Sequence, residues 1–246
     1  MAIPYAHGME VNPTALEAPH PKPTLLSDFI LGGQDGIVNV LGIILGLVAA
    51  ESSLKVILIA TLAAMGAESV AMAAVAYTST KSRRRLYLSE AERERQEMKH
   101  VPAAEREEVR TVLMEWGYQG KELEQMLDLI CHNPKAWLEF MMAFELKLAP
   151  IEESAPRTSG YIVGGATIVG HLVPLLPFLF VGADIFLGAV MATIFSGIAL
   201  FGIGWYEAKI TGGKFLSNGL QMVLIGLGGG LAGFVIGHLI NATPWI

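Results

Sequence analysis

At 246 residues, with 52% of them hydrophobic, 16% charged and a positive mean hydropathy, the chain can bury a sizeable core but is too apolar for an ordinary water-soluble domain. A formal charge of -6 and the lack of any basic stripe interleaved with aromatics exclude nucleic acid as a partner. Its single cysteine, Cys131, excludes an internal disulfide and a cysteine-based metal knuckle, so oxygen or thioether ligands must carry any metal.

In chain order, residues 1–24 lack the basic start and apolar centre of a signal peptide and are broken by five prolines, so a flexible tail is expected. Apolar runs near 28–50 and 55–77 then supply the roughly 20 helical residues that about 30 Å of hydrocarbon requires. The first run carries an acid, Asp35, in "GGQDGIVNVLGIILGL", with Asn39 one turn further on. Counted from the cytoplasmic ends of the two runs, Asp35 lies about 10 Å deep and Met72 about 8 Å, with Asn39 and Glu68 one turn deeper on each. The two antiparallel helices thus offer a column of Asp35, Met72, Asn39 and Glu68. An ionised carboxylate near mid-bilayer costs at least a few kcal/mol, a cost met where the acid faces a cavity, a partner or a transported ion. The alternatives are that Asp35 caps a helix broken after "LGG", or pairs with Lys55 or a loop arginine.

No glycine or proline occurs from Ala67 to Val101, so the second helix is expected to continue out of the bilayer as far as Pro102. The segment 78–159 holds most of the basic residues and most of the acids, with further helices expected at 103–116, 120–131 and 134–148. In it Glu90, Glu94 and Glu97 share one helical face, and Glu105 and Glu108 share another after the Pro102 break. Stacked like charges repel by a few tenths of a kcal/mol per pair, which a bridging divalent cation would relieve. The alternative is a solvated face neutralised by Arg93, Arg95, Arg106 and Arg110. "LEFMMAFEL" then places Met141, Met142 and Glu145 within one turn, a donor set better suited to Fe(II) and its softer neighbours than to Mg or Ca, although adjacent methionines equally suit a core. One Glu-x-x-His occurs, "EMKH" at 97–100, where di-iron carboxylate bundles use two.

Three further apolar runs follow near 160–181, 184–206 and 219–241. His171 and His238 within them read as hydrogen-bonded packing residues and take no role. Glycine pairs four apart (Gly32 and Gly36, Gly42 and Gly46, Gly226 and Gly230, Gly233 and Gly237) mark faces where helices can approach closely. Lys81, Arg83, Arg84 and Arg85 after the second span, with Lys209 and Lys214 between the fourth and fifth, place the N-terminus, the 78–159 segment and the 207–218 loop in the cytoplasm; only Lys55 argues against this, and the 182–183 connection carries no basic residue. The expected fold class is an all-α integral membrane protein: residues 1–24 a tail, 25–77 transmembrane helices 1–2, 78–159 an inserted cytoplasmic helical metal-binding domain, and 160–246 transmembrane helices 3–5.

These residues coincide with a known pattern. "GGQDGIVNVLGIILG", "ESVAMAAVAYTS", an acid-rich insert ending "FMMAFEL", "LVPLLPF" and "GWYEAKITGGKFLSNGLQ" occur in the right order, and from about Leu26 onward the chain resembles the vacuolar iron transporter family, with its nodulin-21-like and bacterial relatives. The resemblance implies five transmembrane helices, a homodimer with the translocation path between subunits, and export of Fe(II) from the cytosol in exchange for protons. It implies an in-membrane metal site at Asp35 and Met72, with Glu68 the acid four residues before that methionine. It also implies cytoplasmic metal ligands at Glu94, Glu97, Glu105 and Glu108, joined by Met141, Met142 and Glu145. One departure stands out: the family's Gly-Glu-Tyr at the end of the second span is Val75-Ala76-Tyr77 here.

The expected protein is therefore a non-enzymatic transporter of a vacuolar or bacterial inner membrane. Its partners are divalent metal ions, protons, the lipid bilayer and a second copy of the chain; Fe(II) is its transported substrate, and Mn(II), Co(II) and Zn(II) are ions the same donors would take. The rival functions are a membrane-bound di-iron carboxylate oxidase and a non-transporting scaffold whose helical domain binds a protein partner.

Overall fold

A computed structural model describes residues 23–181 and 184–242. The expected tail, apart from Pro23 and Thr24, and the 182–183 connection lie outside the described residues. Every regular element among the described residues is helical. In chain order these are α1 (Pro23–Ala49), α2 (Leu54–His100), α3 (Pro102–Glu115), α4 (Gly120–His132), α5 (Pro134–Phe140), α6 (Ala155–Leu175), α7 (Ile185–Thr211) and α8 (Phe215–Ala242). A π-helical turn, Met141–Glu145, continues α5, and a 3-10 turn, Leu176–Leu179, continues α6. Five of these helices are long and apolar enough to cross a membrane. The chain divides into two compact units, 1–68 with 166–246, and 69–165.

In the first unit α1 lies against α7 and α8, and α7 against α8. The contact between α1 and α8 runs through glycine. A Cβ added at Gly46 would stand 2.9 Å from the Gly233 carbonyl oxygen, and one at Gly42 would stand 3.4 Å from that of Gly229. Small residues let two backbones meet where lipid supplies no hydrophobic drive for association. The second half of α6 meets α1 the same way, a Cβ at Gly170 falling 2.5 Å from Gly33 O. Val40, Leu41, Ile44, Ile57, Phe178 and Ala192 form the apolar centre. Pro174 and Pro177 bring α6 to its end, since each lacks the N–H that the next turn needs. Asp184 opens α7 by accepting from the Leu187 N–H at 2.9 Å, and Gly212, at φ 71°, closes it in the left-handed conformation.

The second unit has its own core: Val109, Leu113, Leu123, Leu127, Trp137, Phe140 and Met141. Pro102 opens α3 as expected for a first-turn proline, and Gly117, at φ 95°, follows its end. Asn133 caps α5 by accepting from the N–H groups of Lys135 (3.0 Å) and Ala136 (3.3 Å). The single helix expected over 134–148 is instead a seven-residue α-helix that widens into the π turn, where Leu146 N–H donates to Met141 O at 3.0 Å. In this wider turn Met141 and Met142 are both buried, while Phe144 stays half outside against Trp116, their rings 4.7 Å apart. Lys147, at φ 54°, then ends the run.

Candidate metal-handling sites

Within the first unit the acid of the first span stands among polar side chains from three helices. Asn39 donates from Nδ2 to Glu68 Oε1. The other oxygen of Glu68, Oε2, lies 2.9 Å from His171 Nε2, and His171 Nδ1 lies 2.7 Å from the Thr167 carbonyl oxygen. A carbonyl can only accept, so Nδ1 carries a hydrogen, and a second hydrogen must lie between Nε2 and Glu68 on one side or the other. His171 is completely buried and can sit there because residue 36 is glycine: a Cβ at Gly36 would stand 2.8 Å from His171 Nδ1. Asp35 is within hydrogen-bonding reach of Glu68, so the two acids need a proton or a cation between them. Its Oδ2 is buried and receives no hydrogen bond. Among the described residues neither Lys55 nor any arginine pairs with Asp35, and α1 passes through it unbroken, so it is not a helix cap.

Asp35 and Asn39 form the polar end of an open groove of about 710 Å³. Its other walls are apolar, with Gly42 and Gly46 of α1 facing Gly229, Gly233 and Gly237 of α8. Met72, one turn beyond Glu68 along α2 and half-buried, belongs to the second unit. His171 is the buried, hydrogen-bonded residue that the sequence reading expected, but its tie to Glu68 was not foreseen. Its partner lies 103 positions away, and its spacing relates it only to Thr167 on its own helix. His238, in contrast, departs from expectation: it is exposed and stacks on Phe234 rather than packing inside.

In the second unit, Glu94 and Glu97 of α2 and Glu105 of α3 each offer a carboxylate oxygen, all within 4.8 Å of one another. Glu94 is 2% exposed and Glu105 4%, and one oxygen of each (Glu94 Oε1, Glu105 Oε2) is buried without a donor. Burial first, then a hydrogen bond shared with Glu105, then the charges of Glu105, Glu97 and Glu145 push the Glu94 carboxyl up to about 8. Glu108 is also raised, by burial first and then by the charges of Glu105, Glu145 and Glu97. Glu108 and Glu145 are exposed and stand at the rim of the cluster.

The four arginines expected to neutralise this face mostly turn elsewhere. Arg95 pairs with Glu92, Arg106 with Asp128, and Arg110 with Glu107 and Glu124. Only Arg93 touches the cluster, reaching Glu97 at 3.6 Å while holding Glu90 at 2.8 Å. Glu90 is thus an ion-pair partner outside the three-carboxylate group, and no arginine compensates Glu94 or Glu105. Met141 packs in the apolar core, and Met142, 2% exposed, is buried beside it. The Glu-x-x-His does not converge on one point: Glu97 joins the carboxylates, while His100 is exposed, its Nδ1 2.8 Å from Gln96 O. Carboxylates so close, two of them without a compensating cation, suit a divalent ion bound through oxygen.

The sequence model of the VIT family matches residues 26–238. The chain belongs to the VIT family. Vacuolar iron transporter 1 of Arabidopsis thaliana is 30% identical over 219 residues, covering 88% of this chain and 86% of that protein. The vacuolar iron transporter of Centaurea cyanus is 33% identical over 201 residues, 81% of each. That of Plasmodium falciparum is 26% identical over 224 residues, 88% of this chain and 82% of its own. These VIT-family relatives carry the names of transporters, not of enzymes, and with its five long apolar helices the chain is a multi-pass integral membrane protein.

Proposed function

We propose that the protein carries divalent transition-metal ions across its membrane, with Fe(II) the principal substrate and Mn(II), Co(II) and Zn(II) taken by the same donors. The observation that carries this reading is a set of three buried acid oxygens, Asp35 Oδ2, Glu94 Oε1 and Glu105 Oε2, that receive no hydrogen bond. A buried acid without a donor costs several kcal/mol unless it holds a proton or a cation, and such a site in a membrane protein is functional by default. In this reading residues 78–159 lie in the cytoplasm, where Glu94, Glu97 and Glu105, with Glu108, Glu145 and the thioethers of Met141 and Met142, gather ions. Asp35, Asn39, Glu68 and Met72 then serve the passage through the bilayer. The metal leaves the cytosol, and a proton replaces it on the carboxylates, since a low-dielectric acid keeps one cation or the other. A second copy laid against the groove headed by Asp35 would close the passage, so the working unit is a homodimer. This reading is supported by the VIT-family relatives, each named a vacuolar iron transporter.

The test is metal flux into proteoliposomes with and without an imposed pH gradient, using Fe(II), Mn(II), Co(II) and Zn(II) in turn. Wild-type protein should take up Fe(II) fastest and more rapidly with the gradient. Asp35→Ala should abolish uptake while the dimer still elutes intact. Full uptake by that variant would refute the assignment.

A further inference from the structure

The eight arginines of the described residues divide sharply by position. The four between residues 93 and 110 each hold a carboxylate. The other four, Arg83, Arg84, Arg85 and Arg157, hold none, and neither does Lys81. Lys81 is engaged only by the Tyr77 hydroxyl at 3.3 Å and the Tyr77 ring at 5.3 Å, and Arg83 only by Thr80 Oγ1 at 3.3 Å. Arg84 Nε is buried and has no acceptor. In a chain of net charge -6, five cations without acids in one unit call for an anion from outside.

Their height is fixed by helix packing inside the second unit. A Cβ at Gly160 of α6 would stand 3.1 Å from Ala73 O and 3.4 Å from Tyr77 Cβ on α2, so Gly160 is level with the end of the apolar run. Arg157, three residues before Gly160 on an antiparallel helix, comes within about one turn of the height of Lys81. Tyr161, 81% exposed, and Tyr77 mark the edge where amphipathic rings settle at a hydrocarbon boundary. Lys81 to Arg85 then stand about 6–12 Å beyond that edge, in and just above the headgroup layer. Side chains of a helix lean toward its N-terminus, which for α2 is the membrane end, so these four cations slope back toward the lipid.

The geometry points to a binding collar for the phosphate groups of anionic phospholipids, formed by Lys81, Arg83, Arg84, Arg85 and Arg157 in the leaflet where α2 leaves the bilayer. Arginine forks match phosphate oxygens in pairs, and the exposed side chains of Arg83 and Arg85 can present them. A lipid is favoured over free phosphate because the collar sits at headgroup height and opens sideways from two membrane-crossing helices.

Full-length protein in nanodiscs provides the test, with binding of a fluorescent phosphatidylglycerol measured against a phosphatidylcholine background and with inorganic phosphate as the soluble competitor. Wild-type protein should enrich the anionic lipid, and raised salt should weaken it. Arg83→Gln/Arg84→Gln/Arg85→Gln should lower the affinity by about a hundredfold, while the same three changed to Lys should stay within about tenfold of wild type. A circular dichroism melt matching wild type shows that the Gln variant is folded; a variant that does not fold is replaced by Arg157→Gln with Lys81→Gln, expected to lose at least tenfold. Equal binding of anionic and zwitterionic lipid, or wild-type affinity in the folded Gln variant, overturns the proposal. Displacement of the lipid by millimolar phosphate overturns the lipid assignment in favour of a soluble-phosphate site.

Discussion

A carboxyl held up to about 8 in the folded protein against 4.5 ordinarily keeps its proton when the chain folds. The stability Glu94 contributes is therefore fully present below about 4.5 and is lost as pH climbs through about 8. Metal-free protein should show a falling melting temperature across that window, and Glu94→Gln should flatten the fall. Metal must displace the same proton, so calorimetric affinity of wild-type protein should rise from pH 6 to pH 8, with fewer protons released per ion at the upper end. Replacing Glu94, Glu97 and Glu105 together by Gln should lower the number of ions bound. His171 makes a different case. His171→Ala leaves the partly buried Glu68 Oε2 without its partner, at a cost of about 1 kcal/mol, and should slow flux about tenfold. His171→Gln, which can still donate to Glu68, should recover much of it. The acids were legible in the sequence because spacings of three and four on one helix declare a shared face. His171 was not, because its meaning depends on a partner from another helix that no local spacing reveals.

Among the elements, the glycines of α1 and α8 act as contact surfaces. Gly46→Ala would place a methyl 2.9 Å from the Gly233 carbonyl and should destabilise the protein by about 1–3 kcal/mol in detergent melts. Gly66→Ala, with nothing within 4 Å of the new methyl, should be neutral or mildly stabilising. The number and order of the long helices could be read from hydropathy alone, and the four-residue glycine spacing announced a close contact. Which helices would meet could not be read, since Gly42 faces Gly229 rather than its own repeat. The π turn was equally hidden: "LEFMMAFEL" suits an α-helix by propensity, and only the hydrogen bond from Leu146 N–H to Met141 O distinguishes the wider turn.

At the scale of the molecule, the two compact units divide the polar chemistry between them. Asp35, Asn39, Glu68 and His171 belong to one, the glutamate cluster to the other, and α2 contributes to both. That helix runs 47 residues, about 70 Å, and from Ala67 onward contains neither glycine nor proline. Kinks of more than about 20° arise almost only at such residues or at inserted turns, so the stretch of α2 from Ala67 to His100 has no joint of its own, while Gly66 stands just before it. Spin labels at Val70 and Lys99, both in the second unit, should stay about 44 Å apart whether or not metal is present. Any bending of α2 must therefore fall outside that stretch, at or before Gly66, with residues 67–100 moving as one stiff lever.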